Sequence, residues 1–309
     1  MKTFVSKIYL PEKEKFVAYI DKIYESGWLT NNGPLVQELE QALEAYLGVK
    51  NLLLTASGTA ALQIAMKTLD LEGEAITTPF TYVATSSALV AEKVKPVFVD
   101  IDADTLNIDP DKIEAQITAD TTAIVPVHVF GNVCDVEAIE AIAKRHNLRV
   151  IYDAAHTFGI KFKGRSVFSY GDISTVSFHA TKIFHTIEGG AVIVNDDSLY
   201  AKAKAIRNYG MDDSGEIAYS GVNGKLNEVS AAMGLCNVHE IDRIIDERRR
   251  AFEYYTSQLQ GKVGFQHYNP DATMNYSYIS ALFKDHAEMS AVLSALAEQE
   301  IYPRQYFYP

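Results

Sequence analysis

Two cysteines in 309 residues, Cys134 and Cys236, are too few and too far apart to build a disulfide framework or a metal-ligand pattern. Their scarcity implies reduced thiols, and the expected compartment is the cytoplasm. Basic residues are also in the minority: 28 lysines and arginines face 40 aspartates and glutamates, a net charge of −12. Nucleic-acid binders and polybasic membrane-surface proteins need a positive footprint, so neither nucleic acid nor membrane is an expected partner. An anionic ligand would have to be held by local features. No apolar run approaches the length of a membrane span, and Met1-Lys2-Thr3-Phe4-Val5-Ser6-Lys7 lacks the apolar core of a signal peptide. Internal repeats, low-complexity tracts and Pro/Gly-rich linkers are missing as well. So are G-x-G-x-x-G, G-x-x-x-x-G-K-[ST] and H-E-x-x-H, which removes support for dinucleotide, P-loop and zinc-protease readings, and no metal is expected.

What is present is an ordinary globular composition, 48% hydrophobic and 22% charged, in a chain long enough for one large domain and a smaller one. Phe16, Ile20, Ile23 and Tyr24 have helical spacing over residues 11–26, ending near Gly27. A polar turn, Trp28-Leu29-Thr30-Asn31-Asn32-Gly33-Pro34, precedes a second helix over 35–47 that stops at Gly48. The pattern then becomes strand, turn, helix, with strands expected at Leu52–Thr55, Ala75–Thr77, Pro96–Asp100, Ala123–Val127, Arg149–Asp153, Ser174–Phe178 and Ala191–Val194. Short apolar runs separated by helices predict an α/β fold whose seven-stranded sheet is mostly parallel and covered on both faces. Beyond residue 198 helices dominate: one ends at Arg207-Asn208-Tyr209-Gly210, and a long one runs from Glu228 to about residue 259. Its run Glu247-Arg248-Arg249-Arg250 reads as a solvated face. Tyr276–Phe283 reads as a strand and 286–300 as a helix, which divides the chain into a large domain, 1–245, and a small α+β domain, 246–309.

In parallel sheets ligands bind beyond the carboxyl ends of the strands, and the unusual residues collect there. Ser57-Gly58-Thr59 opens a helix whose free N–H groups suit a phosphate, or is an ordinary N-cap. Tyr82 offers an aromatic face to a ligand, or is a plain surface or core tyrosine. Asp153 ends a buried strand, where a carboxylate needs a cation or strong donors unless it merely caps the next helix. Lys182 lies on a short connection between two apolar strands; a lysine buried there has a depressed pKa and can condense with an aldehyde, whereas a solvated loop lysine cannot be distinguished by spacing alone.

Taken together, Ser57-Gly58-Thr59, Tyr82, Asp153-Ala154-Ala155-His156, Ser177-Phe178-His179-Ala180-Thr181-Lys182 and Glu188-Gly189-Gly190 resemble the DegT/DnrJ/EryC1/StrS nucleotide-sugar aminotransferases. The resemblance covers residues 20–309, including Trp28–Pro34 and Gly221-Val222-Asn223-Gly224-Lys225. Its wording is most similar to the transaminases acting at C4 of dTDP-4-keto-6-deoxyhexoses to make dTDP-4-amino-4,6-dideoxyglucose. The resemblance implies fold type I and pyridoxal 5′-phosphate (PLP), cycling through pyridoxamine 5′-phosphate (PMP), at the interface of a homodimer with shared active sites. It implies that Lys182 forms the Schiff base and then acts as general base, while Asp153 faces the ring nitrogen. His156 would lie beside the ring and Tyr82 would stack on it. Gly58, Thr59 and Ser177 would hold the phosphate, with Asn223 reaching it from the neighbouring subunit. Thr30, Asn31, Gly33, Lys225 and Arg304 are candidate substrate contacts, and the partners implied are L-glutamate and a nucleotide-linked keto sugar.

Two departures stand out. Lys225 occupies a position where the family usually has arginine, whose bidentate contact lysine cannot reproduce. Relatives also continue beyond Tyr302-Pro303-Arg304-Gln305-Tyr306-Phe307-Tyr308-Pro309 with a histidine segment, so the small domain is expected to be incomplete here. Rival readings are a PLP-binding non-catalytic sensor, an aminotransferase directed at C3, a PMP-dependent sugar dehydratase, which would carry histidine in place of Lys182, and a nicotinamide-dependent oxidoreductase, which would need the missing glycine fingerprint.

Overall fold

The computed structural model describes residues 2–307; Met1, Tyr308 and Pro309 lie outside it. Its central sheet has seven strands: β1 (Leu52–Thr55), β2 (Glu74–Thr77), β3 (Lys95–Phe98), β4 (Thr121–Ile124), β5 (Arg149–Asp153), β6 (Ile173–Ser177) and β7 (Gly190–Val194). Their spatial order is β1-β7-β6-β5-β4-β2-β3. Only β7 runs antiparallel to its neighbours, β1 and β6; the other pairs are parallel. The mostly parallel α/β sheet is thus the one the sequence implies. Nine helices accompany it among the described residues: α1 (Lys13–Ser26), α2 (Pro34–Leu47), α3 (Gly58–Thr68), α4 (Ala84–Ala91), α5 (Val136–His146), α6 (Asp197–Arg207), α7 (Glu228–Val238), α8 (Ile241–Leu259) and α9 (His286–Glu298).

The two sheet faces carry separate cores, as the two-residue period of a strand requires. Leu52 and Leu54 of β1 enter one core with apolar residues of α2, α5 and α7, while Leu53 enters the other with residues of α3, α4 and α6. Burial on both faces explains why these strands read as continuous apolar runs rather than alternating ones.

Three expectations need correction. The regular strand β4 ends at Ile124 rather than Val127: Val125 N–H still reaches Ile76 C=O at 2.7 Å, but Pro126 has no N–H for the ladder, and Val127 is joined to Asp153 by an isolated bridge. The long helix beginning at Glu228 is two helices. Every residue of α7 except Val229 is buried, whereas α8 buries only Ile241 and Ile244, so the two cannot share one axis in the same core. Finally, Tyr276–Phe283 forms a strand only at Ala281–Leu282, paired antiparallel with Gly264–Phe265. The segment before it is held by Asn275 instead. This buried side chain donates to the carbonyls of His156 (2.9 Å) and Phe158 (3.0 Å) and accepts from Ser277 N–H (3.1 Å) and Oγ (2.8 Å). Thr3–Phe4 pairs in parallel with Ile301–Tyr302. No helix of the described residues is long and apolar enough to cross a membrane.

Candidate active site

Lys182 is carried on the connection from β6 to β7, and that connection is rigid. Thr186 N–H donates to Phe178 C=O (3.0 Å), Phe178 N–H to Gly189 C=O (2.9 Å) and Lys182 N–H to His179 C=O (2.8 Å). Ile183 and Phe184, immediately after the lysine, are buried anchors; Phe184 stacks on Phe158 with centroids 4.4 Å apart and meets Phe178 edge-on at 4.9 Å. The half-buried Lys182 side chain ends with Nζ 3.5 Å from the Tyr278 hydroxyl. Burial pulls its pKa down to about 8; the nearby Asp153 charge opposes this and the Arg304 charge reinforces it. No carboxylate among the described residues comes within ion-pairing distance of Nζ.

Asp153 closes β5 and is only 7% exposed. Its Oδ2 accepts from the Thr85 hydroxyl at 2.7 Å and its Oδ1 from Ala155 N–H at 3.2 Å. Burial raises its pKa above the ordinary carboxylate value, while the two hydrogen bonds and the Lys182 charge act in the other direction. Three residues on, His156 Nδ1 accepts from the Phe130 N–H at 3.2 Å, which places the proton of the neutral ring on Nε2. Burial, with the Lys182 charge as a lesser cause, keeps this imidazole neutral well below the usual histidine range. Its ring packs against Tyr278, centroids 4.6 Å apart.

The N-terminus of α3 completes the edge. Ser57 Oγ accepts from Ala60 N–H (3.1 Å), so the N-cap reading of this residue holds; the cap still leaves the Gly58 and Thr59 N–H groups without intrahelical acceptors. Close approach demands glycine here. A Cβ on Gly58 would lie 2.9 Å from Ser177 Cβ, and one on Gly190 would lie 2.6 Å from Val176 O and 2.7 Å from Gly58 N. Gly58, Thr59 and Ser177 therefore share one small patch where β6, β7 and α3 converge. Tyr82 is 57% exposed on the turn leading into α4, and its carbonyl lies 3.3 Å from the Thr85 hydroxyl oxygen.

These groups fit PLP. A depressed-pKa amine without an anion, a buried carboxylate without a cation, a neutral imidazole and a helix N-terminus with spare donors line one side of the sheet. Each is what one part of that cofactor would require: its aldehyde, its ring nitrogen, its ring substituent and its phosphate.

Three residues of the site were not legible beforehand. Thr85 follows Tyr82 by three positions, the spacing of one helical turn, and that relation was the available clue. Tyr278 reaches Lys182 and His156 from a segment that Asn275 ties to the His156 and Phe158 carbonyls. Arg248 is not part of a solvated run: it is half-buried, donates to Ser277 C=O at 3.2 Å, and has its pKa lowered by burial. Its neighbours Arg249 and Arg250 do face outward, both pairing with Asp246.

Among the described residues, the remaining candidates make no hydrogen bond to the Lys182 side chain, and of them only Arg304 acts on it, through its charge. Thr30 and Asn31 are exposed, whereas Gly33 is buried against Trp28 and Glu228 at the start of α2. Asn223 is exposed and bridges Asn208. Lys225 donates to Asn208 Oδ1 at 2.9 Å and lies over the Tyr209 ring, 4.1 Å from its centroid. Lys225, Asn31 and Arg207 line a groove of about 680 Å³ that Lys182 does not enter. Arg304 is exposed, over the Tyr306 ring at 5.2 Å.

Known proteins share this sequence pattern and fold. The profile of the DegT/DnrJ/EryC1/StrS aminotransferase family matches residues 11–309. A dTDP-4-amino-4,6-dideoxy-D-glucose transaminase of Shigella dysenteriae is 43% identical over 99% of this chain and 84% of its own length. One of Escherichia coli is 40% identical over 97% and 82%. Among solved structures, DesI in the presence of its TDP-sugar product superposes with a TM-score of 0.94 at 34% identity, covering 100% of this chain and 80% of DesI. The PMP form of the putative sugar aminotransferase Spr1654 from Streptococcus pneumoniae superposes with a TM-score of 0.92 at 25% identity, covering 100% and 85%. The chain belongs to the DegT/DnrJ/EryC1/StrS aminotransferase family and is a PLP-dependent nucleotide-sugar aminotransferase of fold type I.

Proposed function

We propose that this enzyme transfers the amino group of L-glutamate to C4 of a dTDP-linked 4-keto-6-deoxyhexose, releasing 2-oxoglutarate. The observation that carries the chemical part is the buried Asp153 carboxylate within electrostatic reach of the Lys182 amine, whose pKa burial lowers to about 8, with no ion pair between them. The sugar and its nucleotide are supported by the two transaminase relatives at 43% and 40% identity. When bound, PLP supplies an aldehyde that condenses with a primary amine and a ring that accepts the electron pair left on the donor's α-carbon.

Lys182 is the residue that would hold the cofactor and, as general base, would take the proton from the donor carbon. A pKa of about 8 leaves an appreciable neutral fraction at neutral pH, which an ordinary lysine at 10.5 would lack. Asp153 would hold a proton on the ring nitrogen, and the Nε2–H of His156 would be the donor offered to a ring substituent. Gly58, Thr59 and Ser177 take the phosphate. The working unit is a homodimer in which Asn223 of one protomer serves the site of the other. Thr30, Asn31, Gly33, Lys225 and Arg304 are the proposed sugar-nucleotide contacts. Two free buried cysteines suit a reducing cytoplasm.

The test is direct. Purified enzyme supplied with PLP, L-glutamate and dTDP-4-keto-6-deoxyglucose is expected to yield a dTDP-4-amino-4,6-dideoxyhexose identified by mass spectrometry and NMR. Preference for a GDP-linked keto sugar, or amination at C3, would overturn the substrate assignment. Wild-type turnover by Lys182→Arg would overturn the mechanism.

A further inference from the structure

Thr85 is fully buried, and among the described residues the side chains its hydroxyl hydrogen-bonds with are Thr81 and Asp153. Its hydroxyl donates to Asp153 Oδ2 at 2.7 Å and lies 2.9 Å from the hydroxyl of Thr81, itself buried. The carboxylate has one other neutral donor, Ala155 N–H at 3.2 Å on Oδ1. The charged group that acts on it is Lys182, which also acts on the neutral His156. The same turn holds Tyr82, whose carbonyl accepts the Thr85 N–H (3.2 Å) and lies 3.3 Å from the Thr85 hydroxyl oxygen.

We propose that Thr85 is a positioning residue for this reaction: its hydroxyl holds Asp153 in the ionised form and orientation that keep the cofactor's ring nitrogen protonated. The inference rests on Asp153 facing that nitrogen. A buried carboxylate is a strong base when its negative charge is unrelieved, and a strong base draws the shared proton away from the ring. A hydroxyl donor at 2.7 Å spreads that charge and leaves the proton on the nitrogen. One oxygen is occupied from the α4 side and the other from the Ala155 side, so the rotamer is fixed before any ligand arrives. With the Thr85 proton given to the carboxylate, the Thr85 oxygen accepts from the Thr81 hydroxyl, which fixes the direction of the chain Thr81 to Thr85 to Asp153.

The experiment uses holoenzyme reconstituted with PLP labelled with nitrogen-15 in the ring. The nitrogen chemical shift distinguishes pyridinium from pyridine directly, and the pH titration of the visible band provides a second readout. Thr85→Val is expected to move the nitrogen signal toward the neutral pyridine position and to lower kcat roughly 10- to 100-fold with little change in KM; Thr85→Ser is expected to retain both wild-type values. Thr85→Ala gives the same reading should the valine form fail to fold. Unchanged nitrogen shift and band titration in a folded Val or Ala variant would overturn the proposal. Asp153→Asn is measured in parallel. If it too leaves the nitrogen signal in place, the placement of Asp153 is wrong; if it moves the signal while the Thr85 variants do not, only the role of Thr85 falls.

Discussion

Arg207 and Glu40 form a buried ion pair, 2.7 Å apart, that closes the open edge of the sheet. Strand β1 is an edge strand, and its Leu54 turns both backbone groups away from β7. Glu40 Oε1 accepts the Leu54 N–H at 2.9 Å, and Arg207 donates to the Leu54 carbonyl at 2.9 Å. Glu44 accepts the Leu52 N–H at 3.1 Å in the same manner. Carboxylates from α2 and a guanidinium from α6 thus replace the missing strand and block edge-to-edge association. Arg207 also donates to Asn32 Oδ1 at 3.1 Å, so the pair fixes the turn that carries Thr30 and Asn31.

Removing one partner should therefore be costly. Arg207→Ala leaves Glu40 buried without a cation, and breaking such a pair typically destabilises by about 3–5 kcal/mol. Urea unfolding should show that loss, with Arg207→Lys recovering the charge but not all of the contacts to Glu40, Leu54 and Asn32. A loss below about 1 kcal/mol, the size of an exposed pair, would show that the edge is not held this way.

Lys182 gives a pH-dependent prediction. Its folded pKa of about 8 lies below the ordinary 10.5, so between these values the unfolded chain binds the proton that the native one has released. Stability of the apoprotein should accordingly rise with pH through that window, the full penalty of the buried ammonium being present below about pH 8. Carbamylation of Lys182 by cyanate, followed by peptide mass spectrometry, should show a midpoint near 8. Because the Asp153 charge raises this pKa, Asp153→Asn should move the midpoint lower; a midpoint near 10.5 in the wild type would show a solvated lysine.

Gly190 tests the cradle. A Cβ there would lie 2.6 Å from Val176 O and 2.7 Å from Gly58 N, and both are backbone atoms that cannot swing aside. Gly190→Ala should destabilise by about 1–3 kcal/mol through overpacking and weaken PLP binding by parting α3 from β6. Thermal unfolding and a cofactor titration measure the two effects. Full cofactor affinity in a stable variant would place the phosphate elsewhere.

Much of this arrangement could be read from the chain because its signals are local. Lys182, Asp153 and Gly58 sit at the ends of apolar runs, and a strand end next to a glycine or an ionisable residue is visible without knowing the sheet. Even β4 was misjudged only by the few residues around Pro126. Thr85 and Tyr278 were invisible for the opposite reason. Nothing in Ala84-Thr85-Ser86 distinguishes a hydroxyl aimed at a carboxylate 68 positions away from an ordinary helical threonine. The aromatic and β-branched content of Tyr276–Phe283 favoured a strand, yet a single asparagine overrode that propensity by offering the backbone other partners. Long-range hydrogen bonds leave no periodicity.

That asparagine supports the last prediction. Asn275 is 2% exposed and ties the carbonyls of His156 and Phe158 to the backbone that delivers Tyr278. In Asn275→Ala both carbonyls lose a donor, and the Ser277 N–H and hydroxyl lose their acceptor. Each buried group left unpaired costs about 1–3 kcal/mol, so a substantial fall in melting temperature is expected. The functional consequence is separable from this. Tyr278 touches the Lys182 amine and the His156 ring, so releasing its segment should lower kcat at temperatures where the variant is still folded. Tyr278→Phe, which keeps the ring on His156 but removes the hydroxyl 3.5 Å from Nζ, should leave the melting temperature nearly unchanged. If Asn275→Ala lost stability without losing turnover, the segment would serve as packing alone; if Tyr278→Phe also lost turnover, the hydroxyl itself would be acting on the lysine.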